Sequence, residues 1–379
     1  MAVFHSTRYH WVGQKNGRGY LSSFLKIYFM PVNYVKNAVS IPDRFLGSTL
    51  NSDLNLLQYI GRSARHLATN TRGWRERDPG RSAGEREILL AGCSWMEGMM
   101  EDFPNTIQGR LSQLLDIEIG NVGVSGYSLL QTIRRLHMEI EYCKPSLVIV
   151  SFGDWMISRC FKYGTLNGLA FRPIFRPGKS CELAIIEPNP LRPRLFNEAF
   201  KLMQRADTLT RREKAIIDLI ILENKIANGF ASNAVRNFVG LRKYWYIDHA
   251  AVERGDSEAA DGYWAEIVRF CIDKLASLSE KYGCQICLVQ MAVPHRRQTR
   301  EEKDADLLGN LCATSDRLHF LGKVSPSPSL AGQRWEARDV NSPGESPRFW
   351  AEEHSHPNGA GYRRIAEEIG ERLSQLHLV

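Results

Sequence analysis

The sequence predicts an α/β chain whose main part folds as a three-layer αβα sandwich around a mainly parallel five-stranded sheet. Two observations carry this expectation. Short runs such as Ile88–Ala91 and Leu147–Val150 are apolar at every position, as strands buried on both faces of a parallel sheet must be. Between such runs lie longer segments with apolar residues at helical spacing, so strands and helices alternate.

Ile88–Ala91 reads as a strand that runs directly into Gly92-Cys93-Ser94. Ile107, Leu111, Leu114 and Leu115 recur at helical spacing, and Asp116–Gly123 reads as the second strand. A helix is expected over Ser128–Tyr142, with Leu129, Ile133, Leu136 and Ile140 on one face. Leu147–Ser151 is the third strand. Ile267, Cys271, Leu275 and Leu278 define a further helix, before the strands Gln285–Val289 and Leu318–Leu321. Gly361–Leu376 closes the chain as an amphipathic helix, completing a flavodoxin-like arrangement over residues 86–379. An insert at about 157–260 interrupts it. The insert opens on loops with Pro173, Pro177, Pro188, Pro190 and Pro193, then turns helical through Arg211–Asn228. Residues 1–85 read as an N-terminal extension, with a helical pattern near Leu54–Leu67 and a polar, Arg/Gly-rich linker from Asn70 to Gly84.

Of 379 residues, 43% are hydrophobic and 24% charged, which excludes a disordered chain. The net charge of +7 sits in the extension, where 12 basic residues face 5 acidic ones. A basic arm of this kind suits an anionic surface of lipid, polysaccharide or nucleic acid, and it is equally a solvated surface without a dedicated partner. No nucleic-acid-binding motif accompanies it. The eight cysteines are scattered, unlike those of a small disulfide scaffold. Cys284 and Cys287 form C-x-x-C, but in a strand positions i and i+3 face opposite ways, so they read as reduced core thiols. The apolar stretch Tyr20–Val32 is broken by Lys26 and Pro31 and is too short to span a bilayer, although it suits a membrane surface. With no secretory signal visible, a cytoplasmic location is the default expectation.

In open α/β sheets, ligands bind beyond the C-terminal ends of the strands. Ser94, Gly123–Gly126 and Gly153-Asp154 each follow a strand, and Glu353-His354-Ser355-His356-Pro357-Asn358 precedes the last helix. His295-Arg296-Arg297 is a basic loop at the same end of the sheet, suited to an anionic substrate or simply solvated.

These blocks resemble those of the SGNH, or GDSL-like, serine hydrolases. Leu89-Leu90-Ala91-Gly92-Cys93-Ser94-Trp95 is similar to the first block, with Cys93 where Asp is usual. Asn121-Val122-Gly123-Val124-Ser125-Gly126-Tyr127-Ser128 is similar to the second, and His356-Pro357-Asn358 with Ala360-Gly361-Tyr362 to the fifth. The third departs, reading Ser151-Phe152-Gly153-Asp154-Trp155-Met156 where the family carries Asn.

The resemblance implies Ser94 as nucleophile, His356 as its base and Glu353, three residues earlier, as the acid that orients the imidazole. It implies an oxyanion hole from the Ser94 and Gly126 amides and a side-chain amide; with the third-block Asn absent, Asp154 or the Trp155 indole is left for that slot. Trp95, Tyr127 and Trp155 are candidates to line the substrate pocket, although aromatic residues beside a sheet are more often core. The implied reaction is hydrolysis of an acyl ester, on a small molecule or carbohydrate, without metal or organic cofactor. An acyltransferase using the same pair and a non-catalytic binding protein remain as alternatives. Each residue also has a plainer reading: Ser94 as a helix N-cap, Gly126 as a turn glycine of positive φ, Asn121 as a hydrogen bonder at a strand end.

Overall fold

The computed structural model describes residues 39–160, except 44, 61–62 and 79–83, the segments 174–177 and 183–186, residues 258–292, 298–326 and 356–379, and isolated positions at 210, 212 and 215. The Tyr20–Val32 stretch, the helical reading of Arg211–Asn228 and the His295-Arg296-Arg297 loop fall outside them or nearly so.

Residues 39–76 are built of strands. β1 (Ser40–Asp43) pairs antiparallel with β2 (Gly47–Leu50). β3 (Asn55–Ile60) and β4 (Ser63–Thr69) form an antiparallel hairpin, extended by the short β5 (Arg75–Glu76). The helical expectation near Leu54–Leu67 is therefore corrected to a hairpin in which Leu56 faces Leu67 across the ladder. Short apolar runs fit both periods, and pairing with a neighbouring strand decided between them.

The linker reading of Asn70–Gly84 is corrected as well, at least as far as Glu76. Asn70, Trp74 and Arg75 are wholly buried. The Asn70 carboxamide accepts the amides of Arg72 and Trp74 and donates to Glu76, closing a turn onto β5. Leu46, Leu50 and Trp74 belong to the same apolar cluster as the main sheet's Leu89 and Val148. This β layer packs on the α/β part.

The sheet comprises β6 (Ile88–Ala91), β7 (Ile119–Asn121), β8 (Leu147–Phe152), β11 (Gln285–Met291) and β12 (Leu318–Val324). β9 (Ile174–Pro177) and β10 (Leu183–Ile186) form a separate antiparallel pair within the insert. The sheet's order is β12-β11-β8-β6-β7 and every pairing is parallel, the flavodoxin-like arrangement expected.

Alternation along the strands makes the layers. Leu89, Ala91, Val148, Val150, Ile286 and Leu288 face one cluster, while Ile88, Leu90, Leu147, Ile149, Cys287 and Val289 face the other. The first cluster is covered by α3 (Leu129–Cys143), α5 (Glu258–Tyr282) and α6 (Gln298–Cys312). The second is covered by α2 (Ile107–Leu115) and α7 (Gly359–Gln375). Cys284 lies in the first cluster and Cys287 in the second, on opposite faces as the strand reading requires. Burial pushes the Cys287 thiol up to about 12. No helix among the described residues is long and apolar enough to cross a membrane.

The chain steps from β6 outward to β7, then crosses to β8 on β6's other side. That reversal opens a crevice above β6 and β8, where ligands bind in such sheets. Gly92, at the top of β6, shows how tightly this point is packed. A Cβ there would lie 2.0 Å from Ser151 Oγ and 2.8 Å from the Met96 Cβ. Gly92→Ala is expected to cost about 1–3 kcal/mol in urea unfolding. Adding Ser151→Ala should recover part of it, because the worst contact is with that hydroxyl.

Candidate active site

Ser94 owes its place to the end of β6. Cys93 stays extended (φ −102°, ψ −152°), and Ser94 opens the single-turn helix α1 (Ser94–Glu97), which Gly98 ends in the left-handed region at φ 73°. The amides of a helix's first turn have no intrahelical acceptor, so the Ser94 N–H stands at an end able to stabilise negative charge. Ser94 is 5% exposed.

His356 arrives from 262 residues further along the chain, and its Nε2 lies 2.8 Å from Ser94 Oγ. Two capping contacts fix the chain just beyond it. Asn358 is the N-cap of α7, its Oδ1 accepting the amides of Ala360 and Gly361 at 3.1 Å each. The Gly359 amide donates to Glu101 Oε1 at 2.8 Å. Glu353 and His354 lie outside the described residues.

The second block forms the turn after β7. Gly126 has φ 82°, a conformation that favours glycine. Asn121 donates from Nδ2 to the Met96 carbonyl at 2.8 Å and accepts the Gly123 amide at 2.9 Å, tying this turn to the Ser94 helix. Tyr127 is fully buried, its hydroxyl donating to the Ser48 carbonyl of β2 at 2.7 Å. This bond fastens the β layer to the turn. Trp95 is 2% exposed and packs among Met96, Ile107 and Leu111, so it too is core.

The third block is occupied by Trp155. Its ring folds over Gly153, where a Cβ would meet it at 2.7 Å, and stands 5.4 Å from the Trp95 ring, centroid to centroid. The indole N–H points at Cys93 Sγ, 3.2 Å away. Asp154, the other candidate for this slot, opens α4 (Asp154–Cys160), and its Oδ1 accepts the Trp155 backbone amide at 2.6 Å.

Four further residues, which the motifs did not mark, surround the site. Glu97, at the end of α1, is wholly buried. Its Oε1 pairs with Arg65 of β4 at 2.8 Å and its Oε2 accepts the Ser125 amide at 2.5 Å. Burial alone raises such a carboxyl, but Arg65, the Ser125 amide and Arg75 outweigh it and hold Glu97 below the ordinary carboxylate value. Arg75 of β5 donates to the Glu97 and Gly98 carbonyls at 2.7 and 2.5 Å, and also to the Glu101 carbonyl. Burial brings its guanidinium down to about 9. Burial likewise raises the Glu101 carboxyl. The only local signal was an acid in an otherwise apolar stretch after Ser94. Its arginine partners lie more than 20 residues away in sequence, where no short-range pattern reaches.

Neither a protein-family model nor a curated protein matches the chain. Among solved structures it is similar to a carbohydrate esterase family 2 enzyme with a carbohydrate-binding domain from Corynascus thermopiles (Myceliophthora fergusii), at 11% identity and a TM-score of 0.36, covering 83% of this chain and 76% of that one. It is also similar to a GDSL-like lipase from Bacteroides thetaiotaomicron, at 11% identity and a TM-score of 0.33 over 76% of this chain and 88% of that one. A third similar structure is an acetyl xylan esterase from the rumen bacterium Butyrivibrio proteoclasticus, at 12% identity and a TM-score of 0.32, over 78% and 65% of the two chains.

Proposed function

We propose that this chain hydrolyses acyl esters through a Ser94 acyl-enzyme, with His356 as general base and then general acid. The observation that carries the reading is the 2.8 Å contact between His356 Nε2 and Ser94 Oγ. A serine hydroxyl is a poor nucleophile until a neighbouring imidazole takes its proton, and this contact is within reach of that transfer.

The steps follow from the groups in place. Ser94 Oγ attacks the ester carbonyl as its proton passes to Nε2, giving a tetrahedral oxyanion. That oxyanion is held by the Ser94 amide at the head of α1 and the Gly126 amide in the neighbouring turn. Collapse expels the alcohol, which takes the proton back from His356 and leaves the acyl group on Ser94. Water then repeats the sequence and regenerates the hydroxyl. Glu353, three residues before His356, is the proposed partner of Nδ1, fixing the tautomer in which Nε2 accepts. Asp154, the remaining candidate for the third oxyanion position, holds the Trp155 amide on its Oδ1, and its proposed part is to cap α4. Short acyl esters of carbohydrates, the substrate class that the sequence resemblance implies, are the proposed substrates.

Labelling the full chain with a fluorophosphonate, followed by peptide mapping, tests the assignment. The label is expected on Ser94 and absent from Ser94→Ala. A label on another serine, or none, rejects the mechanism.

A further inference from the structure

We infer that Glu101 is a positioning residue for His356, and that it acts as the outer end of a brace built by the N-terminal β layer; this rests on the Ser94–His356 reading above. The brace is a continuous set of contacts along residues 97–102, the segment that follows the Ser94 helix. Arg65 of β4 pairs with Glu97 Oε1 and donates to the Gly98 carbonyl at 3.2 Å. Arg75 of β5 gathers the Glu97, Gly98 and Glu101 carbonyls. The backbone amide of His66, also on β4, donates to Asp102 Oδ1 at 2.5 Å.

From this segment two side chains reach to the other catalytic blocks. Glu97 Oε2 accepts the amide of Ser125, next to Gly126. Glu101 Oε1 accepts the amide of Gly359, three residues after His356, at the head of α7. A carboxylate at that end also meets the positive pole of a 17-residue helix.

The arrangement has a chemical consequence. The nucleophile, the Gly126 turn and the histidine come from three distant parts of the chain, and none of the described strands joins the first to the last. One segment, gripped by two buried arginines from outside the α/β sheet, touches both. A proton transfer over 2.8 Å tolerates little drift, and misplacement of about 1 Å costs on the order of 100-fold in rate. Glu101 is the member best suited to test, because it is half-buried and its loss leaves the Arg65–Glu97 pair intact.

The experiment uses the full-length chain as wild type, Glu101→Ala and Glu101→Gln, with p-nitrophenyl acetate kinetics and amide hydrogen exchange over residues 356–361. In Glu101→Ala, exchange there is expected to quicken and kcat to fall by about 10- to 100-fold, with KM changed less than about twofold. Glu101→Gln keeps an oxygen acceptor for Gly359 and is expected to restore most of both. A thermal melt of each variant separates these effects from global unfolding. Unchanged exchange in Glu101→Ala overturns the brace, whatever the activity. Quicker exchange with kcat unchanged, in a protein whose wild type turns over by Ser94, overturns the positioning role alone. Absence of Ser94-dependent turnover in the wild type overturns the hydrolase reading and the positioning role with it.

Discussion

Ser94→Ala is expected to lower kcat for p-nitrophenyl acetate by about 10⁴-fold or more, with KM little changed. His356→Ala should cost nearly as much, because the hydroxyl 2.8 Å from Nε2 has then lost the group that takes its proton. The decisive measurement is the double variant. Residues that act as one unit are strongly non-additive, so removing both should cost scarcely more than removing one. Separate multiplicative losses point to independent roles, and equal rates in wild type and Ser94→Ala reject catalysis by this serine altogether. Residual activity is expected in every variant, since the Ser94 and Gly126 backbone amides survive these side-chain changes.

The largest stability effect is expected at Arg65, whose side chain is 2% exposed against a Glu97 side chain at 0%. Arg65→Ala strands a buried carboxylate and should lower unfolding free energy by about 3–5 kcal/mol, read from urea midpoints at neutral pH. Replacing both partners, as Arg65→Met with Glu97→Gln, should cost less, because no charge is stranded and the amide oxygen still accepts from Ser125. The pH dependence supplies a second check. Glu97 has a depressed folded value, so its contribution in the wild type is present above the ordinary carboxylate range and is lost as pH falls through that folded value. In Arg65→Ala, burial is no longer opposed by Arg65, and acid relieves the carboxyl by protonating it. The gap between wild type and variant should therefore narrow on acidification. A gap that widens shows that Glu97 is not the group left stranded.

Much of the main sheet was legible because its signals are local. Ile88–Ala91 and Leu147–Val150 are continuous apolar runs, and Ser128 with Gln131 closes a capping box at the start of α3. The second strand came out shorter than expected, Ile119–Asn121, because Asp116 ends α2 in the left-handed region. The helix Gln298–Cys312 was missed: its acidic, Lys- and Arg-containing first half offers few apolar residues, and among its described residues only Leu308 and Cys312 belong to the buried apolar core. Residues 39–76 were misread for the opposite reason. Their inward residues include Arg65, Arg75 and Asn70, polar types that a hydrophobic pattern assigns to solvent.

The charge reading suffered in the same way. Three of the arginines counted toward a basic arm are turned inward, Arg65 to Glu97, Arg72 to Glu139 and Arg75 to backbone carbonyls. Composition counts charges but does not record what they face.

By itself the sequence determined the alternation of strand and helix in the α/β part, the turn that lifts Ser94 to the top of β6 and the histidine ahead of the last helix, because each depends on residues within a few positions of one another. Only the tertiary structure decided that the strand order reverses between β7 and β8 around β6, that His356 meets Ser94 across 262 residues, that Trp155 turns its N–H to Cys93, and that two arginines from the β layer grip the segment behind Ser94. Those contacts join residues far apart in the chain. Their partners are chosen by packing and by the cost of leaving a buried polar group unpaired, and neither acts until the chain has closed on itself.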